Sequence, residues 1–129
     1  MSPATTASRF TSAIPFLPVA DVDEAARFYV QTLGFTIDWT WGTPTSDAGL
    51  RRDGLSLYLT RNPDLAARVR GFEVVLMVAN IDAAYEEHRR NGAPIAEALE
   101  PKPWGTREYR IDDPTGYRLR ITEVGEEGS

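Results

Sequence analysis

The chain has 129 residues, 42% of them hydrophobic and none of them cysteine, which is enough for one compact domain with its own core and too little for two. Without cysteine there is no disulfide, no thiolate nucleophile and no thiolate metal site. A formal net charge of -5 at pH 7 disfavours nucleic acid, because no dominant basic face is available to release counterions from phosphates; an acidic surface attracts cationic ligands, or simply keeps a protein soluble.

The start, Met1-Ser2-Pro3-Ala4-Thr5-Thr6-Ala7, lacks the basic region and apolar run of a secretory signal. No later segment approaches the roughly 20 apolar residues that span a bilayer, so a soluble cytoplasmic protein is expected. Ala13 to Val19 is apolar and reads as a strand. Asp21 can cap a following helix, with Glu24 three positions on and Val22, Ala25, Ala26, Tyr29 and Leu33 at helical spacing. Gly34 stops it. Phe35, Ile37 and Trp39 alternate with Thr36, Asp38 and Thr40, the pattern of a half-buried strand. Strands at Ala48 to Arg52 and Leu55 to Thr60 flank Asp53-Gly54, a dipeptide suited to a primed hairpin turn. Asn62 to Arg70, which contains Pro63, reads as a loop or short helix.

The pattern then repeats. Phe72 to Val78 reads as a strand, Ile81 to Arg90 as a helix with Gly92 as its stop, and Ala93 to Ala98, Arg107 to Ile111 and Tyr117 to Glu123 as strands. Asp113-Pro114-Thr115-Gly116 is a turn, since proline presets the bend and glycine permits the left-handed position. The segment before Arg9 and the tail Gly125-Glu126-Glu127-Gly128-Ser129 are expected to fray. Val19-Ala20-Asp21-Val22-Asp23 recurs as Val78-Ala79-Asn80-Ile81-Asp82, and Gly54 to Thr60 is echoed by Gly116 to Thr122, each about sixty residues on. We therefore expect a single α+β domain over residues 1–129, made of two tandem βαβββ modules, one over about 13–62 and the other over about 72–124.

Few residues offer chemistry. The sole histidine, His88, sits beside Arg89 and Arg90 and reads as a partly packed surface residue, not a ligand or base. Serine and threonine nucleophiles therefore lack a general base. Asp112-Asp113 reads as turn-forming, solvated acids, Glu86-Glu87 as a solvated helix face and Glu126-Glu127 as tail. The glycines form no phosphate-cradling string. The aromatics are more specific: Trp39 and Trp41 are spaced to share one face of a strand, and Trp104 lies between Pro103 and Gly105. Tryptophan faces stack on flat heteroaromatic rings and attract cations; the alternative for each is core packing.

The duplicated βαβββ pattern resembles the glyoxalase/bleomycin resistance/dioxygenase (vicinal oxygen chelate) superfamily, whose modules form a cupped mixed sheet around a cavity. Several strings are similar to its bleomycin-resistance, drug-binding branch: Ala13-Ile14-Pro15-Phe16-Leu17-Pro18, Phe28-Tyr29, Leu33-Gly34-Phe35, Asp38-Trp39, Ala48-Gly49-Leu50-Arg51-Arg52-Asp53, Pro103-Trp104-Gly105-Thr106-Arg107-Glu108-Tyr109 and Asp113-Pro114-Thr115-Gly116. They run over nearly the whole chain from Ala13 to Val124. The segment Trp41-Gly42-Thr43-Pro44-Thr45-Ser46-Asp47 departs from that branch in length and composition.

The resemblance carries definite expectations. Superfamily enzymes hold a divalent ion at positions that fall here on Ile14, Tyr58, Glu73 and Arg120, of which only Glu73 is a plausible ligand, so no metal and no cofactor are expected, and Glu73 is expected to pair with Arg120. What remains is binding without turnover. Bleomycin-type drugs cut DNA through a bound redox metal, and a protein that sequesters such a cationic antibiotic stoichiometrically confers resistance without being an enzyme. Asp38, Trp39, Trp41, Tyr58, Trp104, Gly105 and Arg107 are the expected ligand-binding residues. Pro15 matches the hinge of an arm exchanged between protomers, so a homodimer is expected, or else Pro15 and Pro18 merely mark an edge strand. Two rival readings are a metal-dependent glyoxalase or dioxygenase-like enzyme with ligands elsewhere, and a small-molecule binding protein with no resistance role.

Overall fold

The computed structural model describes residues 7–125; the outermost parts of both expected frayed ends lie outside them. The first module comprises β1 (Phe16–Val19), α1 (Val22–Gln31), β2 (Thr36–Trp41), β3 (Asp47–Arg52) and β4 (Leu55–Arg61). The helix α2 (Pro63–Arg68) leads to the second, with β5 (Glu73–Val78), α3 (Ile81–Arg90), β6 (Ile95–Pro101), β7 (Arg107–Asp112) and β8 (Arg118–Glu123). The strand orders match, β1-β4-β3-β2 and β5-β8-β7-β6. In each sheet the first strand lies parallel to the last and the other pairs are antiparallel. The chain is thus α+β, with tandem βαβββ modules.

Local chemistry sets the helix limits. The Asp21 carboxylate accepts from Glu24 N at 3.0 Å, Asn62 from Leu65 N at 3.1 Å and Asn80 from Ala83 N at 3.4 Å, each satisfying an amide that a helix start leaves orphaned. Gly34 and Gly92 follow α1 and α3 at φ +78° and +75°, a left-handed turn that a side chain would strain.

One core joins the modules. Leu17, Val19, Leu50, Leu57 and Leu59 from the first sheet, Leu76, Tyr109, Ile111, Leu119 and Ile121 from the second, and Val22, Tyr29 and Ile81 from the helices form a single buried cluster. Burying each large aliphatic side chain contributes about 1.5–3 kcal/mol. Because side chains alternate along a strand, each sheet gives one face to this core and turns the other outward. Polar latches reinforce the join. Tyr29 OH donates to Asp113 Oδ2 at 2.6 Å, Tyr117 OH to Pro18 O at 2.6 Å, and Arg52 grips Glu87 through two bonds of 2.7 and 2.8 Å. Among the described residues the two sheets stay separate, since β1 pairs only with β4 and β5 only with β8.

Four expectations need correction. The first strand begins at Phe16, not Ala13. The pairing of β2 with β3 shifts between Ile37 and Trp39, a bulge that breaks the expected alternation and leaves Ile37 52% exposed. His88 is buried, at 6% exposure, with Nδ1 2.7 Å from the Tyr109 hydroxyl; burial pushes its pKa below the usual histidine value. Asp113 is likewise buried, where it accepts from Thr115 N, Thr115 Oγ1, Tyr117 N and Tyr29 OH, while Asp112 is exposed as expected.

Candidate ligand-binding faces

The outward face of the first sheet carries an aromatic row. Phe16, Tyr58, Gly49 and Trp39 are in register across β1, β4, β3 and β2. Tyr58 meets Phe16 edge to face at 5.5 Å and Trp39 at 5.0 Å between ring centroids. Trp39 reaches Tyr58 because Gly49 lies between them. A Cβ at that position would come 2.1 Å from Trp39 Nε1, so the indole lies against bare backbone. Trp41, opposite Asp47 at the end of β2, is 71% exposed. Asp38 sits at the bulge with its carboxylate 3.4 Å from Arg51, both exposed, so part of its charge is met within the sheet.

The outward face of the second sheet is ionic. Glu108, 5% exposed, accepts from Trp104 Nε1 at 3.1 Å, Thr106 Oγ1 at 3.2 Å and Arg120 Nε at 3.1 Å. Burial raises the Glu108 carboxyl, but the Trp104 N–H, Arg120 and Thr106 outweigh it and hold its pKa below the ordinary glutamate value. Arg120 also donates to Glu73 at 3.1 Å, the pair expected from sequence, and its guanidinium lies 5.6 Å from the centre of the Trp104 ring. Trp104 is thereby held by its polar edge while its body remains 59% exposed. Gly105 completes the supporting turn, its N–H donating to Lys102 O at 2.9 Å. Arg107 is committed elsewhere. Its guanidinium holds Asp82 at 3.1 and 3.2 Å and Glu123 at 3.4 Å, tying β7 to α3 and β8.

The expected ligand-binding residues therefore fall into two groups, Asp38, Trp39, Trp41 and Tyr58 on one sheet and Trp104, Gly105 and Arg107 on the other, with the shared core between. The two groups thus lie on different sheets. Pro15 continues β1 along its own chain, its carbonyl accepting from Tyr58 N at 2.9 Å, and Phe10 and Ile14 upstream are exposed. The four superfamily metal positions do not suit an ion. Ile14 has no donor, Tyr58 belongs to the aromatic row, and Arg120 brings a permanent cation against Glu73.

The glyoxalase/bleomycin resistance protein/dioxygenase superfamily model matches residues 9–121. The chain belongs to this superfamily. Several solved structures superpose over most of their length. The bleomycin-binding protein from bleomycin-producing Streptomyces verticillus, complexed with copper(II)-bleomycin, does so with TM-score 0.77 at 27% identity, over 92% of this chain and 100% of that one. The bleomycin resistance determinant encoded on the transposon Tn5 gives TM-score 0.77 at 28% identity, over 88% of this chain and 98% of that one. TioX from Micromonospora sp. ML1, with TM-score 0.71 at 24% identity over 89% and 97% of the two chains, shows the fold alone. A search of the curated proteins finds no match.

Sequence reasoning missed Glu108, Phe16 and Gly49. Glu108 stands beside Arg107 within the proline-tryptophan-glycine string, and its place on the outward side of β7 follows from alternation with the buried Tyr109 and Ile111. Gly49 carried a weaker signal, a glycine inside a strand, which marks a close approach.

Proposed function

We propose that this chain binds bleomycin-type glycopeptide antibiotics stoichiometrically and holds them without turnover, acting as a cytoplasmic homodimer. The observation that carries the reading is the edge-stacked row Phe16, Tyr58 and Trp39 on an outward sheet face that no helix covers among the described residues. Such a row offers flat π surface to a planar cationic ligand. In the dimer, Trp39, Trp41 and Tyr58 of one copy and Trp104 of the partner subunit would sandwich the drug, which reconciles two groups of binding residues that a single chain keeps apart. Bleomycin binding by the Streptomyces verticillus protein supports the ligand class.

The test is a titration of tryptophan fluorescence with metal-free bleomycin, alongside light scattering. A saturable change at roughly one drug per chain in a dimeric protein is expected. Failure to bind any bleomycin-type drug, or a monomer at micromolar concentration, overturns the reading.

A further inference from the structure

Among the described residues, the duplication fills a seat in one module and leaves the matching seat open in the other. In the first module, Asn62 N donates to Val19 O at 2.9 Å, and α2 then packs across β1 with Ala66 buried. In the second, Val124 N makes the equivalent bond to Val78 O at 2.8 Å, but among the described residues no helix follows. Between α3, the end of β5 and the hairpin of β3 with β4 there is a cavity of about 580 Å³, walled by Leu76 and Val78, by Ala83 and Ala84 and by Leu55. The matching position beside α2 retains only about 210 Å³. A volume of this size lies in the range of small-molecule sites, roughly 300–1,000 Å³.

The wall also defines the chemistry of its occupant. Its charged members are Arg52, Asp53 and Glu87. Arg52 is engaged with Glu87 through both terminal nitrogens, with Leu33 O at 2.8 Å, and lies 3.8 Å from Asp53. Glu87 and Arg52 satisfy one another, and Asp53, with its side chain 92% exposed, stays hydrated at the rim, so no charged group inside the cavity is left to replace the water an ionised ligand would lose on entry. His88, the remaining titratable group on the wall, has its Nδ1 bonded to Tyr109 and its buried Nε2 without a partner among the described residues, a neutral hydrogen-bonding edge and not a charge. A neutral apolar molecule loses little hydration and gains the apolar surface that the described residues leave uncovered here.

We propose that this cavity is a second binding site, for a neutral, largely apolar small molecule of one or two rings, filling the place that α2 occupies in the first module. It shares no residue with the aromatic row or with the Trp104 turn.

The neutral dye N-phenyl-1-naphthylamine, which brightens in apolar surroundings, tests the proposal on the full chain. Saturable binding at about one dye per chain is expected, at least about tenfold tighter than for the anionic 1-anilinonaphthalene-8-sulfonate. Ala83→Met and, separately, Ala84→Phe project side chains into the cavity and should each weaken binding about tenfold or more. Ala83 is an exposed helix position, so Ala83→Met keeps the test valid if Ala84→Phe fails to fold. Trp39→Ala and Trp104→Ala should leave the dye affinity unchanged, which separates this cavity from the outward faces. The proposal is overturned if the neutral dye does not bind, if Ala83→Met leaves its affinity unchanged, if the anionic dye binds as tightly, or if binding appears only after residues 126–129 are removed, which would make those residues the occupant.

Discussion

The two sheets share a strand order, yet their outward faces hold their tryptophans by opposite means. On the first, Trp39 is fixed by shape, lying in the space that Gly49 leaves and against the edge of Tyr58. On the second, Trp104 is fixed by charge, its N–H on the buried Glu108 and its ring beside Arg120. Duplication supplied two copies of one scaffold; inward pairs such as Leu17 and Leu76 or Leu57 and Leu119 stay aliphatic, whereas the outward Tyr58 and Arg120 differ in kind. The difference teaches that an indole on a sheet face can be fixed either by a missing side chain beneath it or by a buried acceptor at its edge. Under the proposed function the two faces would form the halves of one groove, one aromatic and the other presenting Trp104 above an ionic network.

If shape holds Trp39, Gly49→Val gives the largest effect. The new side chain must displace the indole, and we expect a loss of about 3 kcal/mol in urea denaturation, at the upper end of overpacking costs, with drug affinity falling at least about tenfold. Unchanged drug affinity would show that the Trp39 position is irrelevant to binding.

If charge holds Trp104, Glu108→Gln should cost about 2 kcal/mol, as for hydrogen bonds to a charged group, with Trp104 emission shifting to the red. The same bond predicts a pH dependence. The folded-state pKa of Glu108 is depressed, so its contribution is present above the unfolded value of about 4.3 and is lost as pH falls through the lower folded value. Acid titration of wild-type protein should therefore show a Trp104 transition below about pH 4 that Glu108→Gln abolishes.

The join between modules offers a smaller effect. Tyr29→Phe removes one of four donors to the buried Asp113 and should cost about 1 kcal/mol by thermal or urea unfolding while leaving drug affinity intact. The smallest effect belongs to Asp38→Asn. The carboxylate is exposed and partly met by Arg51, so affinity should drop less than about twofold at 0.15 M salt and more at low ionic strength.

Much of this architecture is legible in the sequence where local chemistry decides it. The helix at Ile81 to Arg90 has both limits as expected, since Asn80 caps its start and Gly92 its exit. The bulge in β2 is not legible, because Ile37, Asp38 and Trp39 read equally well as plain alternation until the partner strand sets the register. The burial of His88 was concealed by its basic neighbours Arg89 and Arg90, although the repeat aligns it with Tyr29, which is also buried. The separation of Trp39 from Trp104 is a property of how the modules pack, and strand patterning carries no signal for that.

The central claim, that one copy's aromatic face and another's Trp104 complete each groove, is tested most directly by subunit complementation. Trp39→Ala/Trp41→Ala protein and Trp104→Ala protein should each bind bleomycin weakly, by roughly 1 kcal/mol for each lost aromatic contact. Refolded together at equal amounts, about half of the dimers become mixed, and each mixed dimer holds one intact groove, so about a quarter of all sites should regain wild-type affinity in a calorimetric titration. A mixture that titrates as the plain sum of the two weak proteins would contradict the account.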